Sequence, residues 1–501
     1  MKKHLQNLLI FVFLWLNVFS VAEANNVQVS QVSVTGSRQI KFTISWENSW
    51  KSDAAEAPNN HDAVWIFVKF RETNSNGSWK HLTISNNANE HFTSQNLSVE
   101  TTADEKGIFL KRANYGKGNI ENEEVTLSWG NYLPKGNYDF KVFAIEMVWV
   151  NEGAFYLGDA ASQSRFRRGD SDRPFHITSN QEIPVGKDSF MLNDTGKFAP
   201  ALDIPANYPK GYNGFYCMKY EISQQQYTDF LNCLNYSQQQ KRTATSPAGI
   251  KGSPAMNSFL ANRNGIIISE PGEAPSRPAV YACNSKNDNI FDAKDDGQNR
   301  ACNFLHWADL AAYLDWSALR PLTEFEFEKI CRGPIVPVKQ EYAWGTDKVI
   351  DANTLQNDGA ENEGVTEKGN ATTGLASHGY NGPQGALRPG FAAAGATGRV
   401  EAGAAYFGAM EMSGNLWEMC VTVNEKGLQF DGKLGNGELE ETGDADVQNW
   451  PHPSGDGAGF RGGGWNSGIL PEFRDLAISD RFYAGQKPDT RRGTSGGRGG
   501  R

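Results

Sequence analysis

The chain has no cysteine before Cys217 and no cysteine pair spaced as CxxC, and its eight histidines fall into no HxH, HxxxH or HExxH pattern. Zinc centres are built from closely spaced sulfur and nitrogen donors of that kind, so none is expected. Basic residues are not in excess either: 48 Lys and Arg stand against 58 Asp and Glu, a formal net charge of −10. Nucleic-acid binding needs a concentrated basic face, which excludes that class of partner. A basic cluster, Arg491, Arg492, Arg498 and Arg501, sits at the extreme C-terminus. After residue 24 no run is apolar enough to span a bilayer, so no transmembrane anchor is expected there.

What is present at the N-terminus sets the expected compartment. Lys2 and Lys3 precede an apolar run from Leu8 to Val21, followed by the small-residue pattern Ala22-Glu23-Ala24. This reads as a secretory signal peptide over residues 1–24 and implies an exported protein, periplasmic or at the cell surface. No cysteine stands at the cleavage point, which argues against a lipid anchor. The six cysteines, Cys217, Cys233, Cys283, Cys302, Cys331 and Cys420, permit up to three disulfides in fifteen pairings in an oxidising compartment.

Residues 25–143 alternate with period two. Ile40, Phe42, Ile44 and Trp46 form one such run, Val64, Ile66, Val68 and Phe70 a second, Val125, Leu127 and Trp129 a third, and 136–143 reads as a last strand. Asn- and Ser-rich turns separate them. About 120 residues of short strands suggest an immunoglobulin- or fibronectin-like β-sandwich. His61, His81 and His91 read as solvated loop or strand-end residues.

Residues 144–501 have a different texture, Gly-punctuated and irregular, with short helical stretches. Ser223 can cap a helix over 223–234 whose apolar face carries Tyr227, Phe230, Leu231 and Leu234. A second helical region runs over 302–316, and Thr323 with Glu326 forms a capping box for a third, over 323–331. Glu324, Glu326 and Glu328 read there as complement to the helix dipole on a solvated face. The acidic stretch 292–297 lacks the calcium-loop pattern, with Lys294 at its third position, and reads as a surface loop.

Seven motifs in this second part resemble, in order, those of the sulfatase-modifying-factor (formylglycine-generating enzyme) family. They are Met147-Val148-Trp149 through Phe155-Tyr156-Leu157-Gly158; Lys219-Tyr220-Glu221-Ile222; Leu305-His306-Trp307 through Trp316; Arg320-Pro321-Leu322-Thr323-Glu324; Tyr342-Ala343-Trp344-Gly345; Met412-Ser413-Gly414-Asn415-Leu416-Trp417-Glu418; and Arg461-Gly462-Gly463-Gly464-Trp465. The resemblance implies an α+β chain whose second part has the C-type-lectin fold class. It implies calcium held by Ser413, Gly414, Leu416 and Glu418, with Asn353 at a second calcium site. The family's oxidases bind copper through two cysteines after the last motif, and here Trp465 to Arg481 contains none. Soft thiolates select Cu(I), so neither copper nor the oxidase chemistry is expected.

The remaining expectation is a scaffold whose cleft presents Arg474, Asp480, Arg481, Tyr483, Asp489 and Arg491 to a protein or glycan ligand of the cell envelope. The resemblance extends to accessory proteins of gliding motility and type IX secretion, which favours a non-catalytic binding or assembly protein. The alternatives are a metal-dependent oxidase of the same superfamily and a lectin-like receptor.

Overall fold

The computed structural model describes residues 26–53, 55–130, 132–196, 200–288, 290–393, 397–468 and 475–501. The expected signal segment, 1–24, lies outside the described residues. Strands outnumber helices, and the helices are short: α1 Gln224–Leu231, α2 Tyr236–Arg242, α3 Trp307–Trp316 and α4 Glu324–Arg332.

Two sheets organise the first part. Gln28–Thr35, Gln39–Lys51, Gly116–Ser128 and Phe92–Thr93 form one, in that spatial order. The other carries Leu97–Thr101, Ile108–Arg112, Asp62–Glu72 and Tyr138–Val150, and continues through Phe215–Met218 and Gly499–Gly500 to Arg320–Pro321. Ile40, Phe42, Ile44 and Trp46 of the first sheet share one apolar cluster with Val64, Ile66, Val68 and Leu110 of the second.

The strand Asp62–Glu72 explains how the two parts join. Its even-numbered residues Val64, Ile66 and Val68 face that cluster, whereas Ala63, Trp65 and Phe67 belong to the large cluster of the second part, beside Tyr216, Met218 and Trp316. Period-two alternation implies a second face that is polar and exposed. Trp65 and Phe67 are in fact fully buried, because this strand is covered on both faces.

The boundary expected between 143 and 144 falls inside the strand Tyr138–Val150, which pairs with the whole of Asp62–Glu72. Residues 144–148 pair with Ile66, Trp65, Val64, Ala63 and Asp62 in turn. A fragment of residues 25–143 loses these pairs and uncovers Trp65 and Phe67. It is expected to aggregate or to show no cooperative unfolding, as read by size-exclusion chromatography and circular dichroism; a soluble monomer with a sharp transition would show that the first part folds alone.

Two of the expected helix starts are present as capping boxes, Ser223 with Gln226 and Thr323 with Glu326. Helix α3 starts later than the spacing predicts, at Trp307 with His306 as its cap, and α2 has no counterpart in the sequence reading. The three histidines are not solvated. His81 and His91 are buried, their Nε2 atoms bonded to the carbonyls of Lys106 (2.6 Å) and Ser85 (2.8 Å), and half-buried His61 meets the Tyr216 hydroxyl at 3.0 Å.

All six cysteines are free and buried, which corrects the expectation of disulfides. Cys217, Cys331 and Cys420 sit in one apolar cluster. Burial pushes the Cys217 thiol up to about 12, so it is held protonated and behaves as a small apolar side chain.

Candidate functional site

Helix α4 supplies the foundation of the site. Its carboxylates are not a solvated face: Glu324, Glu326 and Glu328 are buried, and each meets an arginine. Glu324 accepts Arg481 Nε (2.7 Å) and Nη2 (2.8 Å) and Arg461 Nη1 (3.0 Å), and also the Thr422 hydroxyl and Val423 N–H, each at 2.9 Å. Glu328 joins Arg461 (2.8 Å) to Arg332 (3.0 Å), and Glu326 takes Arg320 at 2.7 and 2.9 Å. Arg481 closes the network on Asp194. The four-residue spacing of Glu324 and Glu328 puts both on one helix face, where strand Ala458–Arg461 and loop 475–483 can deliver their guanidinium groups.

Above this network the last loops surround an open cleft of about 490 Å³. Its walls include Tyr380, Trp417, Phe460, Asn466, Ser467, Asp475, Tyr483 and Arg492. Trp417 meets Tyr483 edge to face at 5.0 Å, and Arg492 lies over the Phe460 ring at 5.9 Å. Glycines let the loops converge. Gly414 has φ +97°, and a Cβ there would stand 2.5 Å from the Ser377 carbonyl oxygen; its N–H donates to Gly462 O at 2.9 Å.

Two carboxylates mark this end of the molecule. Burial pushes Asp475 up to about 6, against a hydrogen bond from Ser467. Burial pushes Asp480 up to about 7, against the Phe482 N–H, and the neighbouring Asp475 adds to the rise. A raised carboxyl pKa means that the folded state holds its proton more tightly than the unfolded chain. The stabilisation from Asp480 is therefore complete below pH about 4, its unfolded value, and is lost as the pH rises through about 7. Asp480→Asn is expected to flatten the fall in stability between pH 4 and 8, measured by urea denaturation at each pH; an unchanged slope would remove Asp480 from the account.

Of the six cleft residues expected from the sequence, Tyr483 lines the cavity and Asp480 stands three residues away in the same loop. Arg481 points inward to Glu324 and Asp194, because a buried acid draws it from the surface. Arg491 is turned to Asp309, with Nε and Nη2 at 2.8 and 2.9 Å from its carboxylate oxygens. Burial opposes the charge on Asp309, yet Arg491 and His306 hold its carboxyl well below the usual range. Asp489 is exposed and does not line the cavity, and Arg474 lies outside the described residues.

Sequence reading missed the aromatic wall. The other motif tryptophan, Trp465, is packed inside at 7% exposed, with its Nε1 bonded to Gly493 O at 2.9 Å. Tyr380 and Arg492 carry no local signal of a site, and only the loop crossing brings them to Trp417.

Among the residues expected to hold calcium, the carboxylate is already matched by an arginine. Glu418 is buried and its Oε1 accepts Arg498 Nε at 2.6 Å, so a guanidinium already neutralises it. Arg498 also donates to the carbonyls of Met410 (2.7 Å) and Lys219 (3.1 Å). The Ser413 hydroxyl donates to Leu476 O (2.7 Å) and accepts the Ala343 N–H (3.0 Å). Gly414 and Leu416 could offer a cation only their main-chain carbonyls, since their N–H groups are donors, bonded here to Gly462 O and Glu221 Oε1. Asn353 is exposed, its N–H on Glu367 at 3.2 Å.

These observations define a loop-rich α+β scaffold, clasped by buried ion pairs, whose cleft presents aromatic rings, amides and carboxylates. Residues 139–499 match the profile of the sulfatase-modifying factor enzyme 1-like domain, and the chain belongs to that family. The match begins inside the strand Tyr138–Val150. Comparison with curated proteins finds no match.

Proposed function

We propose that this is an exported, non-catalytic binding protein of the bacterial cell envelope that takes a saccharide or a peptide segment in the cleft around Trp417. The observation that carries the reading is the composition of that cleft: Trp417, Tyr380 and Tyr483 offer aromatic surface, and Asn466, Asp475 and Arg492 offer hydrogen bonds. Rings that cover a sugar or peptide face while amides and carboxylates meet its polar edge are a common recognition scheme. The absence of cysteine from Trp465 to Arg481 supports a binding role over copper-dependent oxidation.

In the same reading the first part is an immunoglobulin- or fibronectin-like sandwich and the second a C-type-lectin-class unit. The role fits an assembly component of the kind that serves gliding motility or type IX secretion. Screening the purified protein against glycan and peptide arrays, with tryptophan fluorescence as the solution readout, tests the proposal. Binding that Trp417→Ala weakens by at least about tenfold supports it. Stoichiometric copper or iron in the purified protein, or conversion of a sulfatase-type peptide cysteine to an aldehyde, would overturn it.

A further inference from the structure

A second cavity, larger than the Trp417 cleft at about 770 Å³, lies at the seam between the two parts of the chain. Residues 48–50, 57, 58, 60 and 117–119 contribute to one side, and 219–220 with residues between 397 and 410 to the other. Trp50, Tyr220, Phe407 and Met410 give it a largely apolar wall. Its charged lining residues are Lys117, Lys219 and Arg399, with no Asp or Glu among them, in a chain of net charge −10.

The wall is rigidly built. The Trp50 ring lies against Gly408, whose φ is +92° and whose added Cβ would stand 2.8 Å from the ring. Trp50 Nε1 donates to Asn60 Oδ1 (3.1 Å), and Asn60 Nδ2 donates across the seam to Phe407 O (2.8 Å). Lys219 is already matched, with Glu146 at 3.0 Å and Asp62 at 3.8 Å, and its ammonium lies 5.0 Å from the Trp50 ring centre. It serves as a fixed floor.

Arg399 is different. Its guanidinium is half-buried and donates to two neutral carbonyls, Ala343 O (3.2 Å) and Ala404 O (3.3 Å). It stacks over Tyr406 at 5.3 Å and has no carboxylate within ion-pair distance among the described residues. Burial lowers its pKa against the field of Glu341, a carboxylate that is itself ion-paired with Arg332. Lys117 adds a second, exposed cation at the rim.

We propose that this seam cavity is a second binding site, and that its ligand is an organic carboxylate with an aromatic or branched apolar body. The apolar body fills the space between Trp50, Phe407 and Met410, and the carboxylate pairs with Arg399. A guanidinium offers the planar, two-point donor set that a carboxylate matches, and the partly desolvated setting strengthens the pair. The ligand is a free aryl carboxylate or the C-terminal carboxylate of a peptide ending in an aromatic residue.

Calorimetric titration of the full chain with N-acetyltryptophan, N-acetyltryptophanamide, Gly-Gly-Phe and Gly-Gly-Phe-amide tests this. At least one acid should bind, and its amide at least about tenfold more weakly. The two acids distinguish a free aryl carboxylate from a peptide terminus. Arg399→Gln should abolish the preference for the acid while its circular dichroism and unfolding midpoint match the wild type, and Lys117→Glu should weaken the acid by a smaller factor. Trp417→Ala, in the other cleft, should leave this binding unchanged, which keeps failure here separate from failure of the cleft. Equal binding of acid and amide, no binding of either acid, or an Arg399→Gln protein that still prefers the acid would each overturn the proposal.

Discussion

Glu324→Gln is expected to lower the stability of this protein by about 3–5 kcal/mol, the range found when one member of a buried ion pair is removed. Glu324 is fully buried and stands between Arg461 and Arg481, which are themselves buried. Removing its charge leaves two guanidinium groups in a low-dielectric interior, with Glu328 and Asp194 as their remaining partners. The exposed pair Lys41 and Glu124 at 2.8 Å is the control, and Glu124→Gln is expected to change stability by less than about 1 kcal/mol. Urea denaturation followed by tryptophan fluorescence measures both. Equal midpoints for the two variants would show that the α4 network carries no more than a surface pair.

The same substitution has a pH signature. Burial opposes the charge on Glu324, but Arg481 and then Arg461 overcome it and hold the carboxyl below the usual range. A depressed carboxylate contributes stability above its unfolded pKa of about 4.3 and loses it as the pH falls through the lower, folded value. The wild type should therefore gain more stability than Glu324→Gln between pH 3 and pH 5.

Arg498→Met should have an effect of similar size, about 3–5 kcal/mol at pH 8, by the mirror-image argument. Arg498 is the cation beside Glu418, and burial pushes both Glu418 and the adjacent Glu221 upward while Arg498 opposes the rise. Without it these carboxylates stand together unmatched. Part of the loss should return at pH 5, where they take up protons, and Glu418→Gln in the same background should restore part of it at pH 8, since the two residues are in contact. Calcium at Glu418 would compete with Arg498. A wild-type midpoint that stays put on adding EDTA or millimolar calcium agrees with Arg498 as the resident cation, whereas a clear upward shift with calcium would mean that the loop binds the ion.

Helix starts were legible because they are made within four residues: the Ser223 cap and the capping box of Thr323 with Glu326 need no distant partner. The strand run Ile40, Phe42, Ile44 and Trp46 was legible for the same reason, since its alternation follows from the pleat. The run at Asp62–Glu72 misled, because the burial of Trp65 and Phe67 depends on Trp316 and Tyr216, which lie more than 140 residues away. The inward turn of Arg481 likewise depends on Glu324, 157 residues earlier.

By itself, then, the sequence determined the positions and types of the main local elements, the order of the family's motifs and the lack of cysteine after Trp465. Only the tertiary structure decided that the two parts share a sheet, that the α4 acids are buried counter-ions, that the cysteines are unpaired, and that Trp417, Tyr380 and Arg492 face one space. The division follows from range. Backbone hydrogen bonding and side-chain periodicity are settled by neighbours a few residues apart, whereas the solvation of a charge or a ring is set by whatever distant chain packs against it.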